Sequence, residues 1–287
     1  LDDVEIVGFA DDIVLTVKGE DVDEVKMLAT NAVMRIERWM KAAKLEVAHH
    51  KTELLLVSNH KPVQWASIKL GKHTIHSKRA LKYLGVMIDV RLSFNEHVDY
   101  ACEKAAKTIS ALARLMSNNS VIRSSKRRIL SCVATSTLRY GAPAWIGALE
   151  TQHNCTQLNS TFRLMAIRVT SAYRTISTEA ACAIAGMIPI TITLAEDAEC
   201  YNRRGTRGFR REARAASLAR WQREWEEASK GRWTFRLIPN LSVWLNRRHG
   251  EVSFALTQFL LGHGCFRYYL HRFGHASSPR CDECVEG

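Results

Sequence analysis

The residues best suited to chemistry lie near the start of the chain, where Phe9-Ala10-Asp11-Asp12 sets two carboxylates side by side between the β-branched runs 4–7 and 13–17. Two such runs joined by a tight turn read as a β-hairpin with Asp11 and Asp12 at its tip. Side chains alternate along a strand, so one aspartate is expected to reach into a site, Asp11 by preference, while the other sits beside it. At about 4 Å two carboxylates repel by roughly 4 kcal/mol at an effective dielectric of about 20, so the pair favours bound cations. Hard oxygen ligands suit Mg²⁺, which takes one or two carboxylates together with substrate phosphates and water. Two ions so held activate an attacking hydroxyl and steady a triphosphate, the arrangement of nucleotidyl transfer. The plain alternative is a solvated turn, because Asp suits turns well.

Phe9-Ala10-Asp11-Asp12 resembles the catalytic hairpin of reverse transcriptases, with Phe where Tyr is commoner. Lys51-Thr52-Glu53-Leu54-Leu55-Leu56-Val57 is similar to the palm segment in which a lysine precedes a strand, and Leu81-Lys82-Tyr83-Leu84-Gly85-Val86-Met87-Ile88-Asp89 is similar to the primer-grip hairpin. In this order the three resemble non-LTR retrotransposon reverse transcriptases. Ala172-Tyr173-Arg174-Thr175-Ile176-Ser177 and Thr257-Gln258-Phe259-Leu260-Leu261-Gly262-His263-Gly264 are similar to the C-terminal part of insect-type elements of that group, including those that insert into ribosomal RNA genes.

The resemblance implies an RNA-directed DNA polymerase that extends a nicked chromosomal 3′ end on its own transcript. Asp11 and Asp12 are then the ligands of two Mg²⁺ ions, Lys51 the general acid for the leaving pyrophosphate, and Tyr83, Leu84 and Gly85 the primer grip. The implied partners are RNA template, DNA primer, dNTPs and chromosomal target DNA, in the nucleus after cytoplasmic synthesis. In that family fingers and a palm strand with a third metal-binding aspartate precede the hairpin. The chain therefore reads as the C-terminal part of a longer polyprotein, expected to be inactive alone. The rival expectation is a non-catalytic nucleic-acid-binding remnant or a domesticated thumb. An exposed surface lysine at 51 and a packing glycine at 85 are the plain readings of those positions.

The 287 residues carry 41 Lys and Arg against 29 Asp and Glu, a formal charge of +12 that points to a polyanionic partner. With 46% hydrophobic residues the chain can core two or three units. Eight scattered cysteines do not form the dense pattern of a secreted disulfide framework, which implies a reducing compartment. No apolar run is long enough to span a bilayer, so no membrane partner is expected.

Positioning these residues calls for an α+β frame. A partial palm of antiparallel hairpins plus a helix is expected over 1–96, thumb helices over 97–150, a helical basic region over 151–230 and a connector over 231–287. Asp21 and Glu24 form a capping box for a helix to about Lys44, with Val22, Val25, Leu28, Ala32, Val33, Ile36, Trp39, Met40 and Ala43 as its apolar stripe. From His97 a second stripe runs through Val98, Ala101, Ala105, Ile109, Leu112, Leu115 and Met116. A helix from about Ser124 to Tyr140 is expected to turn Ile129, Leu130, Val133 and Leu138 inward and Arg123, Lys126, Arg127, Arg128 and Arg139 elsewhere, toward nucleic acid.

Farther on, Arg203, Arg207, Arg210 and Arg214 fall at helical spacing, either as a phosphate-tracking face or as a solvated one paired with Glu212, Glu224, Glu226 and Glu227. Trp221 and Trp225 read as core. Pro239, Trp244 and Arg247-Arg248-His249 belong to the compact connector. Cys281 and Cys284 make half of a CCHC-type zinc knuckle whose remaining ligands the resemblance places farther on, with His271 and His275 as a local alternative.

Overall fold

In the computed structural model, which describes residues 3–116, 122–248, 251–264 and 266–280, the chain divides into two units, 1–97 and 98–287. The fold is mixed α and β, and among the described residues its small sheets lie in the first unit.

In that unit β1 (Val4–Phe9) and β2 (Asp12–Val17) pair antiparallel, from Val4 opposite Val17 to Phe9 opposite Asp12. The helix α1 (Val22–Ala42) starts where the Asp21 carboxylate accepts the N–H groups of Asp23 and Glu24 at 2.9 and 2.8 Å. Glu24 Oε2 accepts the N–H of Glu20 at 2.8 Å, a capping box displaced outward by one residue. Lys44, at a φ of 59°, ends the helix. Trp39 and Ala43, expected in the apolar stripe, are exposed; the buried positions are the small Ala29 and Ala32, which let α1 lie close to a strand.

That strand is β4 (Ser67–Leu70), paired antiparallel with β5 (His73–Lys78) in a hairpin the sequence did not announce. Its Ile68 and Leu70 are buried where it packs on α1. The strand expected over 54–57 is only β3 (Leu54–Leu55), parallel to β5. Then β6 (Ala80–Tyr83) and β7 (Val86–Asp89) close around Leu84 and Gly85 at φ 44° and 87°, the pair of positive values that a type I′ turn needs.

Asp89 organises the reversal after β7. Its buried carboxylate accepts the backbone N–H groups of Arg91, Ser93 and Phe94 at 3.0, 3.1 and 2.6 Å and the Ser93 hydroxyl at 3.2 Å. These donors fix a turn in which Leu92 and Phe94 both take positive φ, 53° and 55°, a backbone that costs L-residues about 1–2 kcal/mol each. Buried His97 accepts the Met87 N–H on Nδ1 at 3.2 Å, and burial pushes its pKa down to about 4.

The second unit is helical. It comprises α2 (Asn95–Ala113, begun in the first unit), α3 (Ser124–Arg139), α4 (Ala142–Trp145), α5 (Gln152–Thr170), α6 (Thr178–Ala185) and α7 (Ile190–Asn202). There follow α8 (Phe209–Glu227), α9 (Arg232–Leu237), α10 (Leu241–Leu245), α11 (Phe254–Leu261) and α12 (Arg267–Arg272). The core gathers on α5, whose Leu158, Phe162, Met165 and Ala166 are buried and which packs on α3, α6 and α7. Ser177 caps α6 through the N–H of Ala180 at 3.2 Å, and Gly186 ends it at φ 63°. On α8, Phe209, Ala213, Ser217, Trp221 and Trp225 recur every fourth residue as the buried face.

Two expected faces are corrected. Leu115 is exposed beyond the end of α2, although Val98, Ala101, Ala105, Ile109 and Met116 are buried. On α3 the buried face is Arg127, Ser131, Ala134 and Leu138, leaving Ile129 and Val133 70% and 52% exposed. Small Ser131 and Ala134 allow a close approach to α5, which branched side chains at those positions would hold off. Among the described residues no single helix is long and apolar enough to cross a membrane, and the five described cysteines are free thiols.

His97 has a native pKa below its ordinary value, so the unfolded chain binds the proton more readily. The stability it contributes is complete above about pH 6.5 and is lost as pH falls toward 4. Urea midpoints should therefore decline over that window, and less steeply in His97→Gln; an unaltered pH dependence in the variant would clear His97 as its source. Asp89→Ala should lower the unfolding free energy by about 3 kcal/mol by stranding its donors, again read from urea midpoints.

Candidate metal centre and nucleic-acid interface

The β1–β2 hairpin closes through Ala10 and Asp11, with Ala10 at φ 55°, a left-handed value that primed hairpin turns require and Ala adopts only at a cost. Asp11 therefore occupies the turn and Asp12 the first position of β2, opposite Phe9. Both are exposed, and neither carboxylate has a hydrogen-bond or ion-pair partner among the described residues. Period-two register puts Ile6 and Ile13 on one face and Val7 and Phe9 on the other, and all four are exposed, Phe9 to 62%.

As a donor set, adjacent unpartnered carboxylates fit Mg²⁺ if phosphate and water complete the shell. Among the described residues no group of three or more His, Cys, Asp or Glu could hold a metal by itself. Lys51 ends a 3-10 turn (His49–Lys51) ahead of β3, exposed, with no bond to either aspartate. Tyr83 closes β6 opposite Val86, and Leu84 and Gly85 form the turn itself. Cys281 and Cys284 lie outside the described residues.

The basic positions separate into different roles. Arg127, expected at the surface, is 3% exposed: it donates to the carbonyls of Ile122 at 3.0 Å and Arg168 at 3.1 Å and to the Ser171 hydroxyl. Burial lowers its pKa, and its work is to join α3 to the end of α5. Arg139 is held by Asp197 through two bonds of 2.7 and 2.6 Å, which raise its pKa. Arg123 and Lys126 are exposed.

Arg128 donates to the Gly186 carbonyl at 2.8 Å and borders a cleft of about 270 Å³ with Ser124, Ser125, Arg247, Arg248 and Glu251. Burial, then the charge of Arg128, lowers the pKa of Arg247, which lies 3.6 Å over the Trp244 ring. Glu251 accepts from the Ser124 and Ser125 hydroxyls, each at 2.7 Å, and these bonds hold its carboxyl below the usual range. Arg247 and Arg248 were visible in the sequence only as a basic run, without a partner to give them a place.

The arginines at 203, 207, 210 and 214 do not share a helical face. α7 ends at Asn202, glycines 205 and 208 take φ 97° and 86°, and α8 starts at Phe209. Arg203 caps α7 and lies 4.9 Å from the Phe209 ring, Arg207 is in the loop, Arg210 is in the first turn of α8, and Arg214 pairs with Glu196 at 3.3 Å. All remain exposed, and the Arg207, Arg210 and Arg211 side chains have no hydrogen-bond or ion-pair partner among the described residues. The result is a basic corner between two helices. Of the expected glutamate partners, Glu224 pairs with Arg220 at 2.9 Å.

Comparison with known proteins gives relatives along nearly the whole chain. The sequence is 28% identical to a retrovirus-related Pol polyprotein from type-1 retrotransposable element R1 4 of Nasonia vitripennis, covering 97% of this chain and 80% of that protein. It is 24% identical to the corresponding R1 2 protein of the same species, over 97% of this chain and 74% of the relative. It is also 24% identical to the R1 Pol polyprotein of Bradysia coprophila, over 96% of this chain but 30% of that longer protein. No protein-family model and no solved structure matches the chain.

If the basic corner contacts phosphate, replacing Arg207, Arg210 and Arg211 together by Gln should lower the slope of log affinity on log salt for an RNA/DNA duplex by up to about 3, at roughly 0.9 per duplex phosphate. An unchanged slope in a folded variant would make the corner a solvated surface. Arg127→Met should leave the slope intact and instead lower the urea midpoint.

Proposed function

The chain is a relative, over nearly its whole length, of the Pol polyproteins of insect R1 non-LTR retrotransposons, and from that premise we propose that it is the palm remnant, thumb and connector of an RNA-directed DNA polymerase acting in target-primed reverse transcription. The observation that carries the reading is the exposed, unpartnered Asp11 and Asp12 at the tip of a tight hairpin. In this proposal Asp11 and Asp12 hold Mg²⁺, which when bound supplies activation of the primer hydroxyl and charge neutralisation on the triphosphate. Lys51 protonates the departing pyrophosphate, and the Tyr83, Leu84 and Gly85 turn supports the primer end.

Helix α3 supplies a thumb surface. Ile129, Val133 and Tyr140 are exposed at helical spacing, with the cation Lys126 one turn before Ile129. An apolar ribbon edged by positive charge suits the sugar-lined minor groove of a template-primer duplex, with the cation on its phosphates. Arg123, Arg128, Arg247, Arg248 and the basic corner hold further backbone. The exposed apolar faces of the β1–β2 hairpin support its burial against the rest of a palm, including the strand with the third aspartate. Residues 1–287 alone are then inactive.

The same proposal makes RNA template, DNA primer, dNTPs and chromosomal target DNA the partners, the nucleus the working compartment, and Cys281 and Cys284 the opening half of a zinc knuckle. The rival reading, nucleic-acid binding without catalysis, shares every feature except the carboxylates.

In a polyprotein carrying this sequence, Asp11→Asn should lose nearly all primer extension on an RNA template while keeping duplex affinity, since it removes a ligand charge with little change of shape. Near-normal extension would return the pair to ordinary turn residues and favour the rival.

A further inference from the structure

The two C-terminal stretches singled out in the sequence, Ala172 to Ser177 and Thr257 to Gly264, meet in the second unit around a cavity of about 850 Å³. Buried Thr257 donates its hydroxyl to the Thr170 carbonyl at 2.6 Å and so fastens α11 to the end of α5. Gly262 then caps α11 at φ 66°, where a Cβ would stand 3.0 Å from the Trp233 ring, and Gly264 takes φ 96°. Glycine is the residue for both positions, and the loop between them lets His263 line the cavity.

The walls are aromatic. Tyr173 meets Phe254 nearly edge-on with centroids 6.0 Å apart, and Tyr269 lies 4.8 Å from His263. Phe259 and Phe266, 6.0 Å apart, add two more rings. Such π surfaces stack unpaired bases without regard to their identity. Identity requires a polar reader, and Gln258 is placed to be one. It borders the cavity at 7% exposed, with its amide oxygen and nitrogen closed off from solvent and without a hydrogen-bond partner among the described residues.

A donor and an acceptor both left unmade are unfavourable in a folded core, and a ligand edge presenting one of each relieves both. Adenine offers that edge at N6 and N7, the pairing a carboxamide makes best. Half-buried His263 lines the same cavity and has no hydrogen-bond partner for its Nδ1 among the described residues. Arg174, also lining it, is exposed with no partner for its guanidinium among the described residues. A guanidinium so left suits a phosphate.

We propose that this cavity is a nucleobase site: it takes an unstacked adenine against its aromatic walls, reads the base with Gln258 once that side chain turns its buried amide into the cavity, and holds the attached phosphate on Arg174. The proposal does not depend on polymerase activity. It assigns a role to residues that the polymerase reading leaves idle.

The test is anisotropy of the full chain with a short 5′-phosphorylated, 3′-fluorescein thymidine strand carrying one adenine, against the all-thymidine strand. About ten-fold tighter binding of the adenine strand is expected, with the preference lost in Gln258→Met and the melting temperature unchanged or raised, because an unpaired amide has gone. Arg174→Gln should weaken both strands alike. Displacement by AMP would make a free nucleotide a sufficient ligand, and displacement by strands alone would make the base within a strand the ligand; either supports the site. In wild type, the same strand with 8-azidoadenine in place of its adenine should photolabel Tyr173 or Tyr269. Equal binding of the two strands, a preference surviving in folded Gln258→Met, or labelling confined to other peptides would overturn it and leave the aromatic cavity to a protein segment.

Discussion

A helix that ends inside protein presents carbonyls that water cannot reach, and the C-terminal turn of α5 is such an end. Among the described residues, long-range donors to it come from opposite directions in the chain: Arg127 reaches the Arg168 carbonyl at 3.1 Å, and Thr257 reaches that of Thr170 at 2.6 Å. Each bond contributes about 1 kcal/mol net, and leaving the buried Thr170 carbonyl without a partner costs about 1–3 kcal/mol, so that donor is effectively obligatory. The first commitment rotates α3 so that Arg127 points in and Ile129 and Val133 point out. The second draws α11 against α5 and thereby creates the aromatic cavity.

The first unit has an equivalent constraint in Asp89. One carboxylate surrounded by three N–H groups and a hydroxyl holds the reversal from β7 into α2. At the tip of β1–β2 the situation is opposite, since Asp11 and Asp12 collect no donors among the described residues. Identical chemistry thus has two outcomes: satisfied within the chain, a carboxylate shapes the fold, and left unsatisfied in pairs, it is available to an external cation.

Local signals in the sequence were readable. The Asp11 and Asp12 hairpin, the Asp21 cap and the Leu84 and Gly85 turn each depend on a few neighbouring residues. The rest depends on partners far along the chain. Periodicity located α3 and put Leu138 inward correctly, but misplaced Ile129, Val133 and Arg127, because the demand for small residues and for Arg127 comes from α5. The spacing of the arginines at 203, 207, 210 and 214 makes one helical face only if the helix runs through glycines 205 and 208, where the backbone turns instead. β5 escaped notice because its outward residues, among His73, Thr74, His76 and Lys78, leave little apolar alternation to see. Gln258 looked like one residue of a motif; its isolation inside an aromatic cavity exists only once α11 is docked.

The functional reading joins a carboxylate pair that seeks cations to basic surfaces that seek phosphate, and a nucleotide–metal complex on a polynucleotide satisfies both. Its central claim is that Asp11 and Asp12 hold the metal. Fe²⁺ substituted for Mg²⁺ in a polyprotein carrying this sequence, with RNA template, DNA primer and dNTP bound and ascorbate and hydrogen peroxide added, generates hydroxyl radicals that cut backbone beside the ion. The predicted result is cleavage at the hairpin around Phe9 to Ile13, suppressed by excess Mg²⁺ and absent in Asp11→Asn; cleavage confined to other segments, or unchanged in that variant, would contradict the claim.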